Sequence, residues 1–496
     1  MRVSSSVFAG RPRRLAILAS AGLAGATIPA VLAATPALAA DSPTCTSTAT
    51  TVTCTFAYDT NGYAWTVPAG VTTLNVTADG GSGQGRAGGA GGAGAEFMAT
   101  LTGAAGQTLG VTTGGAGNGR TGGTNGGGNG GTAIGPGGGG GGQTVVTSGL
   151  NILVVAGGGG GGGVLNAGGA AGTSSSTVPA ATTGGNGSNA ASPVETGGKG
   201  GNTLTSTGGA AGNALLCTAG TAGTSLQGGR GANCPLTGGG GGGGGYFGGG
   251  GGGGSSGGGG GSSYPSAAVT AGGITVTPVT STGSNTGNGE VIITYARVTT
   301  STTIATSGSP TNPGQPVTFT ATVSPTDGSG TVDFENDGTT IPGCGSQPLT
   351  LQSGSTYTAM CTTSTLPVGV NPITATYSGD TSYLGSESDP VDQDVIIAAP
   401  TRLRAFGVVD SHGNMVVSAQ LTSNGHPVSG QLISFTTVLA SMPVCTATTN
   451  GLGIAACPAS GEAAVLIALG QGAFTANYAG TVNYRPAHAL GIINGH

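Results

Sequence analysis

The chain has 496 residues, of which 109 are glycine and only 6% are charged, with a formal net charge of -5. That composition departs from an average globular chain and excludes the dense Lys/Arg clustering that nucleic acid or an anionic lipid surface attracts. Two regimes are mixed: glycine dominates from about residue 80 to 265, whereas residues from about 300 onward carry the Val, Thr, Ile and Tyr of ordinary β domains.

Arg11, Arg13 and Arg14 form a positive n-region, an apolar Ala-rich stretch runs from Leu15 to Leu32, and Ala37-Leu38-Ala39 supplies the small residues of a cleavage site. Residues 1–39 therefore read as a signal peptide, with Arg13-Arg14 leaving the general secretory and twin-arginine routes both open. Cleavage removes four arginines and no acids, so eight basic face seventeen acidic side chains and the mature charge is -9. Pro29 and Pro36 dilute the segment too much for a retained span, so no membrane insertion is expected after cleavage. The chain shows neither an LPxTG sorting motif nor a terminal apolar anchor, which points to free secretion or loose cell-wall association.

Next, Cys45 to Cys54 reads as a threonine-rich hairpin, and Tyr63–Val67 and Leu74–Ala78 as half-buried strands joined at Pro68-Ala69-Gly70. Short apolar segments follow at Ala95–Leu101, Thr108–Thr112, Thr144–Val146, Ile152–Ala156, Ile274–Thr277 and Glu290–Tyr295. Between them lie glycine runs such as Gly157–Gly163 and Gly238–Gly245. A linker joins two domains once, whereas these runs are interleaved repeatedly with strands. Ordered packing of three-residue-per-turn glycine helices is therefore expected, with the insertion from Ala170 to Ala214 as the most mobile part. Trp65 to Val76 leading into glycine, Gly106 to Val111, Ile152 to Ala156 before a glycine run, and Gly289 to Tyr295 together resemble the bacterial glycine-rich domain family. That family is similar to the glycine-rich extracellular domain of anaplastic lymphoma kinase, and the resemblance implies polyglycine helices bundled beside β-strands and, as one function, specific binding of a protein ligand. The domain is expected over residues 41–297.

From Thr300, alternating segments at Val317–Val323, Thr331–Phe334, Tyr357–Cys361, Ile373–Tyr377 and Val391–Val395, with turns at Asp327-Gly328 and Asn336-Asp337-Gly338, indicate an immunoglobulin-like sandwich over 300–397. Gly314 to Ala321 and Tyr377 to Tyr383 also resemble the bacterial immunoglobulin-like domain of group 3. Residues 401–496 read as a diverged copy, because Tyr478 to Tyr484 repeats the Tyr-x-Gly-x-x-x-Tyr spacing of Tyr377 to Tyr383. Its central strand is Leu432–Thr436, and Asn450-Gly451 signals a hairpin between its cysteines. The expected fold is all-β.

Eight cysteines in close pairs fit an oxidising compartment. Each C-terminal unit holds two, Cys344 with Cys361 and Cys445 with Cys457; Cys45, Cys54, Cys217 and Cys234 allow three arrangements, of which local pairing is expected. No constellation carries chemistry. Gly253-Gly254-Ser255-Ser256-Gly257 matches a nucleophile elbow only inside a glycine run, and GxGxxG recurs by composition without a following helix. His412, His426, His488 and His496 lack metal-ligand or triad spacing, and Asp380 alone is too few carboxylates for calcium, so a turn role is expected. No catalytic residue, cofactor or metal is assigned. The expected function is a non-catalytic secreted or surface protein, structural or adhesive, with an extracellular protein or polysaccharide as partner and no nucleic acid. Ice binding is a remote third reading, because the glycine runs are irregular and carry no flat threonine array.

Overall fold

The computed structural model describes residues 41–172, 183–190, 195–215, 217–409 and 414–494. The expected signal peptide, His412, His496 and parts of the 170–214 insertion lie outside them. Among the described residues no helix is long and apolar enough to cross a membrane.

Alternating burial makes two sheets near the N-terminus. In the antiparallel seven-stranded sheet the order is Thr44–Ser47, Thr51–Phe56, Val291–Ala296, Thr73–Asp79, Gly94–Thr102, Ile274–Asn285, Val269–Ala271. A four-stranded sheet holds Tyr63–Thr66, Thr108–Thr112, Thr144–Ser148 and Asn151–Ala156. The two share one core that includes Phe56, Leu74, Phe97, Leu101, Leu109 and Leu153. Residues on either side of Pro68-Ala69-Gly70 are strands, as their alternation predicts, yet they belong to different sheets, so that turn is a crossover. Ile274–Asn285 runs past its expected end at Thr277. A register shift between Pro278 and Thr280 accommodates the missing proline N–H and turns out Val279, so the strand continues where the sequence reads as broken.

The glycine runs leave this frame and pack with a three-residue period. Along Gly158–Gly163 the successive amides donate to the carbonyls of Gly244, Gly81, Gly169, Gly241, Gln84 and Asn166, so every third amide returns to the same neighbouring segment three residues along. The described part of the insertion follows the same rule: Gly198 donates to Gly257 and Gly201 to Gly260. All of Gly157–Gly163 and Gly238–Gly245 is buried.

The first sandwich sets the sheet of Ser301–Thr306, Val317–Ser324, Thr356–Thr363 and Thr350–Ser353 against one built on Thr331–Asn336 and Gly369–Tyr377. Asp337 and Gly338 take φ of 50° and 73°, which closes the expected tight turn between Asn336 and Thr339. The C-terminal unit differs from a plain copy. Its strands form a continuous path because Thr401–Val409 pairs in parallel with Ala487–Asn494. The expected Asn450-Gly451 hairpin is not formed: Pro443–Thr448 pairs with Leu432–Thr437, while Ile454–Ala459 pairs with Met415–Ser423. Neither residue takes the positive φ of a type I′ turn; Asn450 Oδ1 instead accepts from the Leu452 and Ile454 amides (2.9 and 3.1 Å) as the chain steps between strands on different sheets. Among the described residues one helix, Gly461–Leu469, is added to the β fold; its Ala/Leu-rich sequence favours helix and buries Ala463 and Ile467.

Disulfides join Cys45 to Cys54, Cys217 to Cys234, Cys344 to Cys361 and Cys445 to Cys457. In each C-terminal unit the bridge ties strands or loops of the two facing sheets, where closing a short loop stabilises by roughly 3 kcal/mol.

Candidate functional site at the junctions

Tyr377-Ser378-Gly379-Asp380-Thr381-Ser382-Tyr383 leaves the strand Gly369–Tyr377 and folds back on itself. Asp380 Oδ1 accepts from the amides of Ser382 (2.6 Å) and Tyr383 (2.9 Å), as an Asx turn does, and Gly379 holds φ of 69° where a Cβ would meet the Tyr383 carbonyl oxygen at 2.7 Å. The carboxylate is thus spent on turn geometry. The loop captures the segment entering the sandwich: Val298 donates to Ser382 O (2.9 Å) and accepts from Leu384 N (2.8 Å).

Side chains close the same contact. Tyr295 Oη lies 3.0 Å from Ser382 Oγ, and Arg297 Nη2 donates to the carbonyls of Tyr383 (2.7 Å) and Asp380. Tyr383 is 1% exposed and belongs to the core shared with the glycine-rich frame. Its spacing suggests an aromatic at the edge of the following loop, whereas in the fold the ring is buried against the glycine-rich frame. Burial, with Asp327 nearby, raises the Tyr383 phenol above its ordinary range, and burial pushes Tyr377 up to about 12. Tyr377 donates to Ser329 O (2.8 Å) and stays a neutral hydrogen-bonding group.

The second unit repeats the device. Ala399 donates to Asn483 O (2.8 Å) and accepts from Arg485 N (2.9 Å), with Gly480 at φ of 85° in the place of Gly379. Asn312 Nδ2 spans the junction to the carbonyls of Ile396 and Val482, both at 2.8 Å. Beside each junction lies an open groove, about 370 Å³ at Gly70–Thr73 and Tyr295–Thr299 and about 430 Å³ around Pro313, Ile397 and Tyr484. Each groove has one arginine in its lining and no carboxylate.

Ser255 and Ser256 sit within the glycine lattice, with Ser256 Oγ accepting from Ala190 N (2.9 Å). His426 and His488 are exposed on strands. Among the described residues no three His, Cys, Asp or Glu are grouped to hold a metal. Among the described residues one carboxyl is perturbed. Asp79 faces Glu96 across the sheet, its amide donates to Glu290 O (2.8 Å), and its Oδ1 is buried without a partner. Burial first, then the Glu96 and Glu290 charges, raise it from 3.8 to about 6.

Because the folded value lies above the unfolded one, the native state holds the extra proton between these values. Stability is fully present below pH 3.8 and declines as pH rises through about 6. Asp79→Asn is expected to remove that decline and to raise unfolding free energy at pH 7.5 by on the order of 1 kcal/mol, after allowing for solvent screening of a partly exposed group. Urea unfolding of the full chain at pH 4.5 and 7.5 checks it; an unchanged pH slope in the variant refutes the assignment.

Solved structures similar to the chain include the ectodomain of mouse nectin-like molecule 4, at 12% identity over 42% of this chain and 78% of that one, with a TM-score of 0.18. The Yersinia pseudotuberculosis adhesin InvE shows 15% identity over 39% and 58%, TM-score 0.16, and the D0-D1 domain of intimin 18% over 38% and 97%, TM-score 0.13. At such scores the likeness carries no argument about function. No curated protein matches the chain. With two facing β-sheets closed by an inter-sheet disulfide, residues 302–396 match the family described as the bacterial Ig-like domain (group 3).

Proposed function

We propose that this is a non-catalytic exported structural and adhesive protein in which the two sandwiches form a stiff stalk and the glycine-rich region is the presented head. The repeated capture of the incoming strand, at Val298 and again at Ala399 with the same pair of backbone hydrogen bonds, carries this reading. A flexible string of domains needs no such contacts, whereas a spacer that holds a head at a set distance and angle does. The head itself reads as a bundle of extended glycine helices with three residues per turn, of the kind the bacterial glycine-rich family implies; the period-three hydrogen bonds support it. Export through the N-terminal segment fits the four disulfides. After export the protein is released or held loosely at the wall, and an extracellular protein or polysaccharide is the partner class.

The full exported chain is expected to be retained on cells or on at least one member of a glycan panel, and a chain lacking residues 41–297 to lose that retention. Absence of retention on every surface would remove adhesion and leave a purely structural role.

A further inference from the structure

The frame has two ends. At one, Gly70 lies against Val298 and Pro325 of the first sandwich junction; at the other, Asp79 leads into the glycine lattice. From there Gly80, Gly83 and Gly89 run beside Gly157, Gly160 and Gly163 in turn, so the turn at Arg86–Gly89 lies at the end of the bundle remote from the stalk. Three further turns meet there. Gly88 donates to Val164 O (2.9 Å), and a Cβ placed on it would meet Leu165 Cδ2 at 3.5 Å; a Cβ on Gly135 would meet the Val164 side chain at 3.2 Å; Ile134 and Gly135 donate to Pro235 O and Leu236 O (3.4 and 3.0 Å).

Each of these turns lifts one large aliphatic side chain into solvent. Ile134 is 85% exposed, Leu236 70% and Leu165 69%. Glycine turns have ample polar alternatives, and a single exposed leucine on a surface is ordinary; three on adjoining tips of one end are not. Arginines flank them. Arg86 sits on the first turn, with Nε buried and unpartnered, and its guanidinium lies 3.4 Å from the Cβ position of Gly119, next to exposed Arg120. One carboxylate, Glu195, reaches the same end through Ser255 N (3.4 Å).

We infer that this tip docks on an anionic lipid surface, with Ile134, Leu165 and Leu236 entering the interface and Arg86 and Arg120 meeting the head groups. The inference deepens the adhesive reading and rests on it. The shape favours a fluid surface: separate projecting side chains enter a deformable layer without matched pockets, and cations beside them add attraction to negative lipid. A second copy seated tip to tip would set the arginines against one another. The chain as a whole lacks dense basic clustering; the feature is local to this end, whereas Asp79, Glu96 and Glu290 lie together at the frame.

The test is co-sedimentation of the full exported chain with phosphatidylglycerol-containing vesicles and with neutral phosphatidylcholine vesicles. Binding to the anionic vesicles is expected. It should fall roughly tenfold or more in the combined Ile134→Ser, Leu165→Ser, Leu236→Ser variant, weaken with Arg120→Gln, and decrease with added salt. These positions are solvent-exposed, and an unchanged thermal transition verifies that the variant folds. No vesicle binding overturns the inference, as does equal binding by the triple variant; a concentration-dependent dimer that the triple variant abolishes overturns it in favour of self-association. Cell retention that survives the triple variant sinks the lipid tip alone and leaves the adhesive reading standing.

Discussion

Replacing Gly243 with alanine is expected to abolish the ordered packing of the glycine-rich region, at a cost of more than about 4 kcal/mol, while both sandwiches stay folded. Its added Cβ would fall 1.8 Å from the Gly158 carbonyl oxygen, an approach that no rotamer relieves because the obstacle is backbone. Overpacking alone costs about 1–3 kcal/mol in an ordinary core, where side chains yield. Here the only way to yield is to separate two segments, which also breaks the bonds from Gly158 to Gly244 O and from Gly243 to Gly259 O, each 2.9 Å or shorter. Buried amides left unpaired add roughly 1–3 kcal/mol apiece. Gly308→Ala is the control, since nothing lies within 4 Å of its Cβ position. Hydrogen exchange reads the difference: amides of Gly157–Gly163 and Gly238–Gly245 should exchange slowly in the parent and the control and at random-coil rates in Gly243→Ala. Slow exchange in Gly243→Ala would show that the segments do not pack this closely.

The same lattice marks the boundary of what could be read in the sequence. Frame strands such as Thr73–Asp79 announce themselves because Leu74, Val76 and Ala78 alternate with polar residues. Glycine runs carry no side chains, so composition permits a bundle but cannot say which run neighbours which; only backbone hydrogen bonds select Gly241 and Gly244 as partners of Gly161 and Gly158. Asn450-Gly451 misled for a related reason. A turn dipeptide signals where the chain bends, not whether the flanking strands pair, and here they join different neighbours. The repeated Tyr-x-Gly-x-x-x-Tyr is visible as a spacing, yet its role is not, because the residues it captures, Val298 and Ala399, lie far away along the chain.

 The hydrogen bonds that capture Val298 and Ala399 are made by their backbone, so no side-chain pattern in the sequence marks them.

Tyr383→Ala is expected to destabilise the first sandwich by about 3–5 kcal/mol and to uncouple it from the glycine-rich frame. Removing a fully buried aromatic ring leaves a cavity, which sets the first magnitude. The second effect follows from position: the ring belongs to the core that runs from the frame into the sandwich, and its backbone carbonyl is one of the two that Arg297 grips. A collapsed loop would release Arg297, whose Nε is already buried without a partner, and would loosen the Val298 hydrogen bonds that fix the entry angle of the chain. Tyr484, partly exposed at the matching place in the second unit, should matter less, by about 1–2 kcal/mol for its alanine variant. Calorimetry of the full chain separates these outcomes. The parent should show the frame and first sandwich unfolding together, and Tyr383→Ala should split that transition into two, with small-angle scattering reporting a wider spread of shapes before either melts. A single, uniformly lowered transition with unchanged scattering would mean that Tyr383 supports the sandwich only, and the proposed stiffness of the stalk would then have to come from the strand capture at Val298 without the ring.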